Sequence, residues 1–270
     1  MSFFTSLSGM RNAETDLRVI SNNIANAETA GFKKSNAAFS DLVATGSNID
    51  PRQTPGIGAA VSSINQDFTL GPLEQTGRAL DLAINGDGFF ATANPISGDL
   101  TFSRNGNMQV DASGAMKDAN GDLVQAFTVD PTGVRTGTVP VNVVIPTSNA
   151  AGSVLSSVSV DRRGIVSAAY SDGTSEPVAQ LAIASFPAVG GLRPIGQTKW
   201  EASADSGAPQ YGEPGIGNFG QLMSGALERS NVDLAEEMVS LLTAQRNFQA
   251  NARAIDTATA ISQTVLNLQR

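Results

Sequence analysis

Among its 270 residues the sequence contains neither cysteine nor histidine. That absence excludes disulfides, thiolate nucleophiles, imidazole bases and Cys/His zinc sites, and with them much of the usual catalytic inventory. Missing thiols suit a reducing compartment and an exported protein equally, so they leave localisation open. Basic charge is scarce as well: 17 Lys and Arg stand against 25 Asp and Glu, a formal net charge of −8. Such a chain has no cationic stripe with which to grip phosphates, and neither nucleic acid nor an anionic membrane is expected as a partner. Long apolar runs are lacking too; none approaches the roughly eighteen residues of a membrane span. The start Met1-Ser2-Phe3-Phe4-Thr5 has no basic region and no apolar core of a cleaved signal. The expectation is a soluble product which, if exported, uses a dedicated route.

What is present suffices for a folded body, with 41% hydrophobic and 16% charged residues. Over the first thirty residues Phe3, Leu7, Met10, Leu17, Ile20, Ile24 and Ala27 recur at helical spacing, with Arg11, Asn12, Asp16 and Arg18 between them. This predicts an amphipathic helix that runs on to Gly31, whose lack of a side chain suits a left-handed C-cap. The other end mirrors it. Ser230 and Asp233 read as a capping pair ahead of Glu236 and Glu237, so a helix is predicted from Asn231 or Val232. Its stripe runs through Leu234, Met238, Leu241, Phe248, Ala252 and Ile255, then Ala258, Ile261, Val265 and Leu268. Nearly forty uninterrupted residues make about 57 Å of helix, more than a domain of this size covers, and the stripe must meet something outside it. A lone amphipathic helix gains too little burial to hold itself, so association is expected to order both ends.

Between the helices the character changes. Residues 46–225 are dense in Gly, Pro, Asn, Asp, Ser and Thr with short apolar runs, which predicts an all-β body. Asn85-Gly86-Asp87-Gly88, Arg104-Asn105-Gly106-Asn107 and Asn120-Gly121 are expected as hairpin turns. The fold class is thus α+β: an assembly helix at 1–32, an extended connector at 33–70 carrying Pro51 and Pro55, a β-rich body at 71–225, and a C-terminal assembly helix at 226–270 pairing with 1–32. No internal repeat or low-complexity tract stands out.

Two motifs invite chemistry and neither has its context. Gly215-Ile216-Gly217-Asn218-Phe219-Gly220 spells the dinucleotide fingerprint, yet Ala208-Pro209-Gln210-Tyr211 upstream is no buried strand and no βαβ alternation surrounds it. Asp118-Ala119-Asn120-Gly121-Asp122 opens like a calcium loop, but Leu123 and Val129 occupy the places of the required Gly and Glu. Both read as turns. No cofactor, metal or catalytic residue is expected, and the chain is read as a non-enzyme. More unusual is Asn22, Asn23 and Asn26 crowding a helix that asparagine disfavours. Either they cap a fraying end or they bond neighbouring subunits or a connector; on the second reading Asn23→Leu spoils assembly and spares the β body.

The run Asp16-Leu17-Arg18-Val19-Ile20-Ser21-Asn22-Asn23-Ile24-Ala25-Asn26, followed by Thr29-Ala30-Gly31-Phe32-Lys33, resembles the N-terminal signature of the flagellar axial proteins of rod and hook. Gly225-Ala226-Leu227-Glu228, Ser230-Asn231-Val232-Asp233-Leu234 and Gln245-Arg246-Asn247-Phe248-Gln249-Ala250-Asn251 resemble their C-terminal one. Gln66-Asp67-Phe68, Thr76-Gly77-Arg78, Gly88-Phe89-Phe90 and Phe102-Ser103-Arg104-Asn105-Gly106 extend the resemblance across most of the chain. The resemblance implies a subunit exported by the flagellar type III apparatus and stacked into a hollow helical tube outside the cytoplasm, at the hook or basal body. Its partners would be further copies of itself, rod proteins, the hook–filament junction, the hook cap and the export apparatus. Its assembly residues would be Leu7, Leu17, Ile20, Asn22, Asn23, Ile24, Asn26, Gly31, Phe32, Leu234, Met238, Leu241, Gln245, Phe248 and Ile255. The wording at both ends looks most like the hook member, a flexible tube that carries motor torque to the filament. A short mid-chain region keeps a distal rod subunit open as the alternative, and a secreted β-rich adhesin is the rival outside the family.

Overall fold

The computed structural model describes residues 2–43 and 56–268, apart from the side chains of Ser2, Val265, Leu266 and Leu268. The prolines expected in the connector, Pro51 and Pro55, lie outside the described residues, as do the stripe side chains Val265 and Leu268. The fold is α+β, with two α-helices and many short antiparallel strands among the described residues, and it divides into two compact units. One gathers Met1–Ala27, Lys34–Asp67 and Val232–Arg270; the other gathers Glu28–Lys33 and Phe68–Asn231.

The first unit holds helix α1, Ser2–Ala25, and helix α2, Leu234–Leu268. They run antiparallel, since Asn23 bonds Glu237 while Gly9 lies against Asn251. Helix α1 ends six residues before Gly31 rather than at it. Asn26 terminates it instead, its amide nitrogen donating to the Asn22 carbonyl at 2.9 Å. Helix α2 starts at Leu234, two to three residues later than expected. Asp233 caps it: its Oδ1 accepts the amide hydrogens of Ala235 and Glu236 at 2.8 and 3.3 Å. Residues 226–233, expected within the C-terminal helix, instead begin with a strand, Ala226–Glu228.

The segment expected as an extended connector is largely a hairpin. Strand β1, Ser35–Val43, pairs antiparallel with β2, Gly56–Gln66. Register shifts between Ala38 and Phe39 and between Leu42 and Val43 break its period of two, which hides the strands from a search for strict alternation. The Ala59 amide donates to Ser8 Oγ of α1 at 3.4 Å, so β2 runs beside that helix.

In the second unit β3, Leu73–Gln75, pairs with Ala226–Glu228, and β4, Leu82–Asn85, pairs with Gln221–Ser224. Strands β5, Phe89–Ala93, and β6, Leu100–Ser103, lie inside a sheet of thirteen strands. Successive side chains of a strand face opposite ways, and Phe89 and Phe90, both buried, feed two separate cores. Phe90 joins Leu82, Met108, Val124, Leu181 and Ile183. Phe89 joins Phe102, Phe186 and Trp200 in an edge-to-face aromatic cluster, where Phe102 and Phe186 stand 4.8 Å apart.

Of the three expected hairpin turns only Asn120-Gly121 joins paired strands, Met116–Asp118 and Leu123–Thr128. The strands flanking the other two pair elsewhere. Gly106 is required there by crowding: a Cβ on it would fall 1.7 Å from the Leu82 carbonyl oxygen.

A short repeat that the sequence does not advertise closes five antiparallel connections. At Asp111, Asp118, Asp130, Asn149 and Asp161 the side-chain Oδ1 accepts the amide hydrogens of the residues two and four positions on. A glycine three residues on adopts positive φ, between 78° and 90°. Hydrogen bonds to the charged form hold three carboxylates below the ordinary aspartate range: Asp111 by Lys117 and Ser113, Asp130 by Thr132, and Asp172 by Thr174. A depressed folded pKa contributes stability above the unfolded value and loses it as pH falls through the folded one. The urea midpoint is therefore expected to fall as pH drops below about 4. A variant carrying Asp111→Asn, Asp130→Asn and Asp172→Asn should show a flatter dependence, because Asn149 already makes the same bonds without a charge.

Candidate assembly surface

Helix α2 presents two rows. Glu237, Leu241, Ala244, Phe248, Asn251, Ile255 and Ala258 follow one another at spacings of four and three, and all are buried or half-buried. They face α1, where Ala13, Val19, Ile20 and Asn23 are buried and Leu7, Leu17 and Ile24 half-buried. The second row is apolar and open: Leu234, Met238, Val239 and Leu242 are 39–65% exposed. The single stripe expected from the sequence therefore splits. Leu241, Phe248 and Ile255 turn inward, whereas Leu234 and Met238 face solvent and Gln245 is exposed beside them.

The three asparagines part company as well. Asn23 is buried and fully engaged within its own chain: its amide nitrogen donates to the Ser35 carbonyl at 2.9 Å and to Glu237 Oε2 at 3.2 Å. Its Oδ1 accepts the Ser35 amide hydrogen at 2.9 Å. Ser35 lies in the segment expected as the connector, so for Asn23 the second reading holds in its connector form rather than as a bond to a neighbouring subunit. With both N–H groups of this buried amide used inside the chain, Asn23 has no donor to offer outside. Asn26 and Asn22 bond one another at the helix end, the capping alternative, with Asn22 exposed. Burial raises the carboxyl pKa of Asp16, one turn before Ile20.

Gly31 and Phe32, grouped with the helices by the sequence, belong to the second unit. Gly31 is buried at φ 70°, and its amide donates to the Glu228 carbonyl at 2.8 Å. Beside these two residues lies a buried charge cluster that the sequence does not mark as one. Lys33, Arg104 and Glu228 are all buried, and Lys33 Nζ lies 2.6 Å from Glu228 Oε1. Charged residues at a few per cent exposure are rare unless paired, but burial is not visible in a sequence and the partners are 195 positions apart.

The two motifs that invited chemistry have found other uses. Gly215 to Gly220 joins two strands, Gln210–Gly212 and Gln221–Ser224, with no helix following. In the turn from Asp118 to Asp122 the cation is a side chain: Lys199 Nζ lies 2.7 Å from Asp118 Oδ2 and also contacts Asp122 Oδ2. Among the described residues no group of three or more acidic residues is placed to hold a metal, and no helix is long and apolar enough to cross a membrane.

Three family models match the chain: "Flagella basal body rod protein" over residues 4–33, "Flagellar hook protein FlgE/F/G D1 domain" over 83–168, and "Flagellar basal body rod FlgEFG protein C-terminal" over 223–268. Over its whole length the chain is 36% identical to the flagellar basal-body rod protein FlgG of Bacillus subtilis, covering 99% of that protein. The chain belongs to the flagellar axial family of rod and hook proteins. Other members of that family match it end to end. The basal-body rod protein FlgG of Borreliella burgdorferi is 31% identical, with 98% of it covered. The hook protein FlgE of Escherichia coli is 26% identical, and both chains are covered completely in an alignment 410 residues long. As an axial-family member the chain is a structural component of the flagellum, and the family models fall on α1, on part of the β body and on α2.

Proposed function

We propose that this chain is a distal rod subunit, which polymerises head to tail into the tube of the flagellar basal body after export by the type III route. One observation carries the choice of rod over hook. The alignment with the Bacillus subtilis rod protein spans 281 residues, hardly more than the 270 here, whereas that with the Escherichia coli hook protein stretches to 410. A hook subunit is the second reading, favoured by the complete coverage of the hook protein in that longer alignment.

The open apolar row Leu234, Met238, Val239 and Leu242 supports a polymer. A long helix with one face packed on its partner and a second face apolar gains by covering that second face with another copy. A contact between two different patches, repeated from copy to copy, grows an open helix rather than closing a dimer. On this reading helices α1 and α2 build the wall of the tube, and the β1–β2 hairpin tunes how stiffly neighbours hold one another. The neighbours along the axis are other rod, junction and cap proteins.

Electron microscopy of basal bodies from a strain lacking this gene tests the reading. Truncated rods are expected. Complete rods without hooks would move the subunit into the hook, and intact hooked flagella would overturn both readings.

A further inference from the structure

We propose that Glu228 is the hub of an ion-pair latch: the segment Glu28–Lys33 stays docked on the second unit only while the stretch around Glu228 is in place. The inference holds for a rod subunit and for a hook subunit alike. The chain passes between its two units after Ala27, Lys33, Asp67 and Asn231. On the side of the second unit all of these stretches are tied to one small cluster. Lys33 Nζ lies 2.6 Å from both Glu228 Oε1 and the Thr69 carbonyl oxygen, and the Lys33 and Glu228 side chains are 0% exposed. The Gly71 amide donates to the same Oε1 at 3.0 Å. Beyond Glu228, Asn231 donates from its side-chain amide to the Thr69 hydroxyl at 3.1 Å. Glu228 Oε2 is 3.4 Å from Arg104 Nη1, which also donates to the Gly86 carbonyl at 2.9 Å and so anchors the cluster in the body.

The charge count gives the latch its direction. Two buried cations, Lys33 and Arg104, meet at the carboxylate of Glu228, and Asp87 also acts on Arg104. Burying an ammonium beside a carboxylate is far cheaper than burying it against neutral groups, so the docking of Lys33 is tied to the placement of a residue 195 positions later. Both ends of the chain are then needed to complete the base of the β body. The family models that cover the two ends, residues 4–33 and 223–268, each contain one half of the pair.

Hydrogen exchange on the full-length chain tests this. In Glu228→Gln the amides of Glu28–Lys33, Gly31 among them, and of Thr69–Gly71 should exchange about a hundredfold faster. The strand Phe89–Ala93 should keep its protection. Lys33→Met leaves the Arg104–Glu228 pair intact, so the same segments should loosen less, and this variant also serves if Glu228→Gln does not fold. Unchanged exchange of these segments in Lys33→Met overturns the latch. So does an equal acceleration in Phe89–Ala93, which would reduce Glu228 to a contributor to global stability.

Discussion

Tubes are expected to stop forming when Met238 and Leu242 are both replaced by aspartate. The two side chains are 55% and 54% exposed on α2, on the row that faces away from α1. In a free subunit the new carboxylates stand in water and cost little, within about 0.5 kcal/mol each as for ordinary surface substitutions. In a polymer that covers this row, each subunit must desolvate two unpaired charges, at several kcal/mol per ion. Because the contact recurs in every copy, growth should be lost rather than slowed. The helical circular dichroism of the free protein should be unchanged while negative-stain microscopy shows no tubes. Normal tubes from this variant would remove the row from the subunit interface.

Asn23→Leu should act before assembly begins. Its three bonds join α1 to β1 through Ser35 and to α2 through Glu237. Each buried group left without its partner costs about 1–3 kcal/mol, and a leucine adds bulk where a planar amide lay. A loss of roughly 3 kcal/mol is expected from these terms, read as a lower urea midpoint of the helical signal in the unpolymerised protein. A wild-type midpoint accompanied by loss of tubes would return Asn23 to the subunit interface.

Much of this architecture is legible in the sequence because it is local. Helices α1 and α2 declare themselves by apolar residues at helical spacing, and the β body by its density of turn residues. What was misread depended on partners distant in sequence. The row of α2 that meets α1 includes Glu237 and Asn251, while the open row includes Leu234 and Met238, so hydrophobicity alone chose a stripe that straddles both. Polar groups are tolerated inside when a distant residue satisfies them, as Asn23 does for Glu237. The β1–β2 hairpin escaped because its bulges scramble alternation. The buried pair of Lys33 and Glu228 escaped because charge suggests the surface until a fold supplies the opposite charge. Even so, Lys33, Arg104 and Glu228 all lie in stretches that carry the family resemblance, and in this fold those stretches meet at one place.

The turn from Asp118 to Asp122 carries its own counter-ion, Lys199, as part of the covalent chain. A dissolved cation occupies its site according to its concentration outside, whereas a tethered ammonium faces its carboxylates at an effective concentration set by the fold. The positive charge of this turn is therefore set by the fold rather than by the cation concentration of the medium.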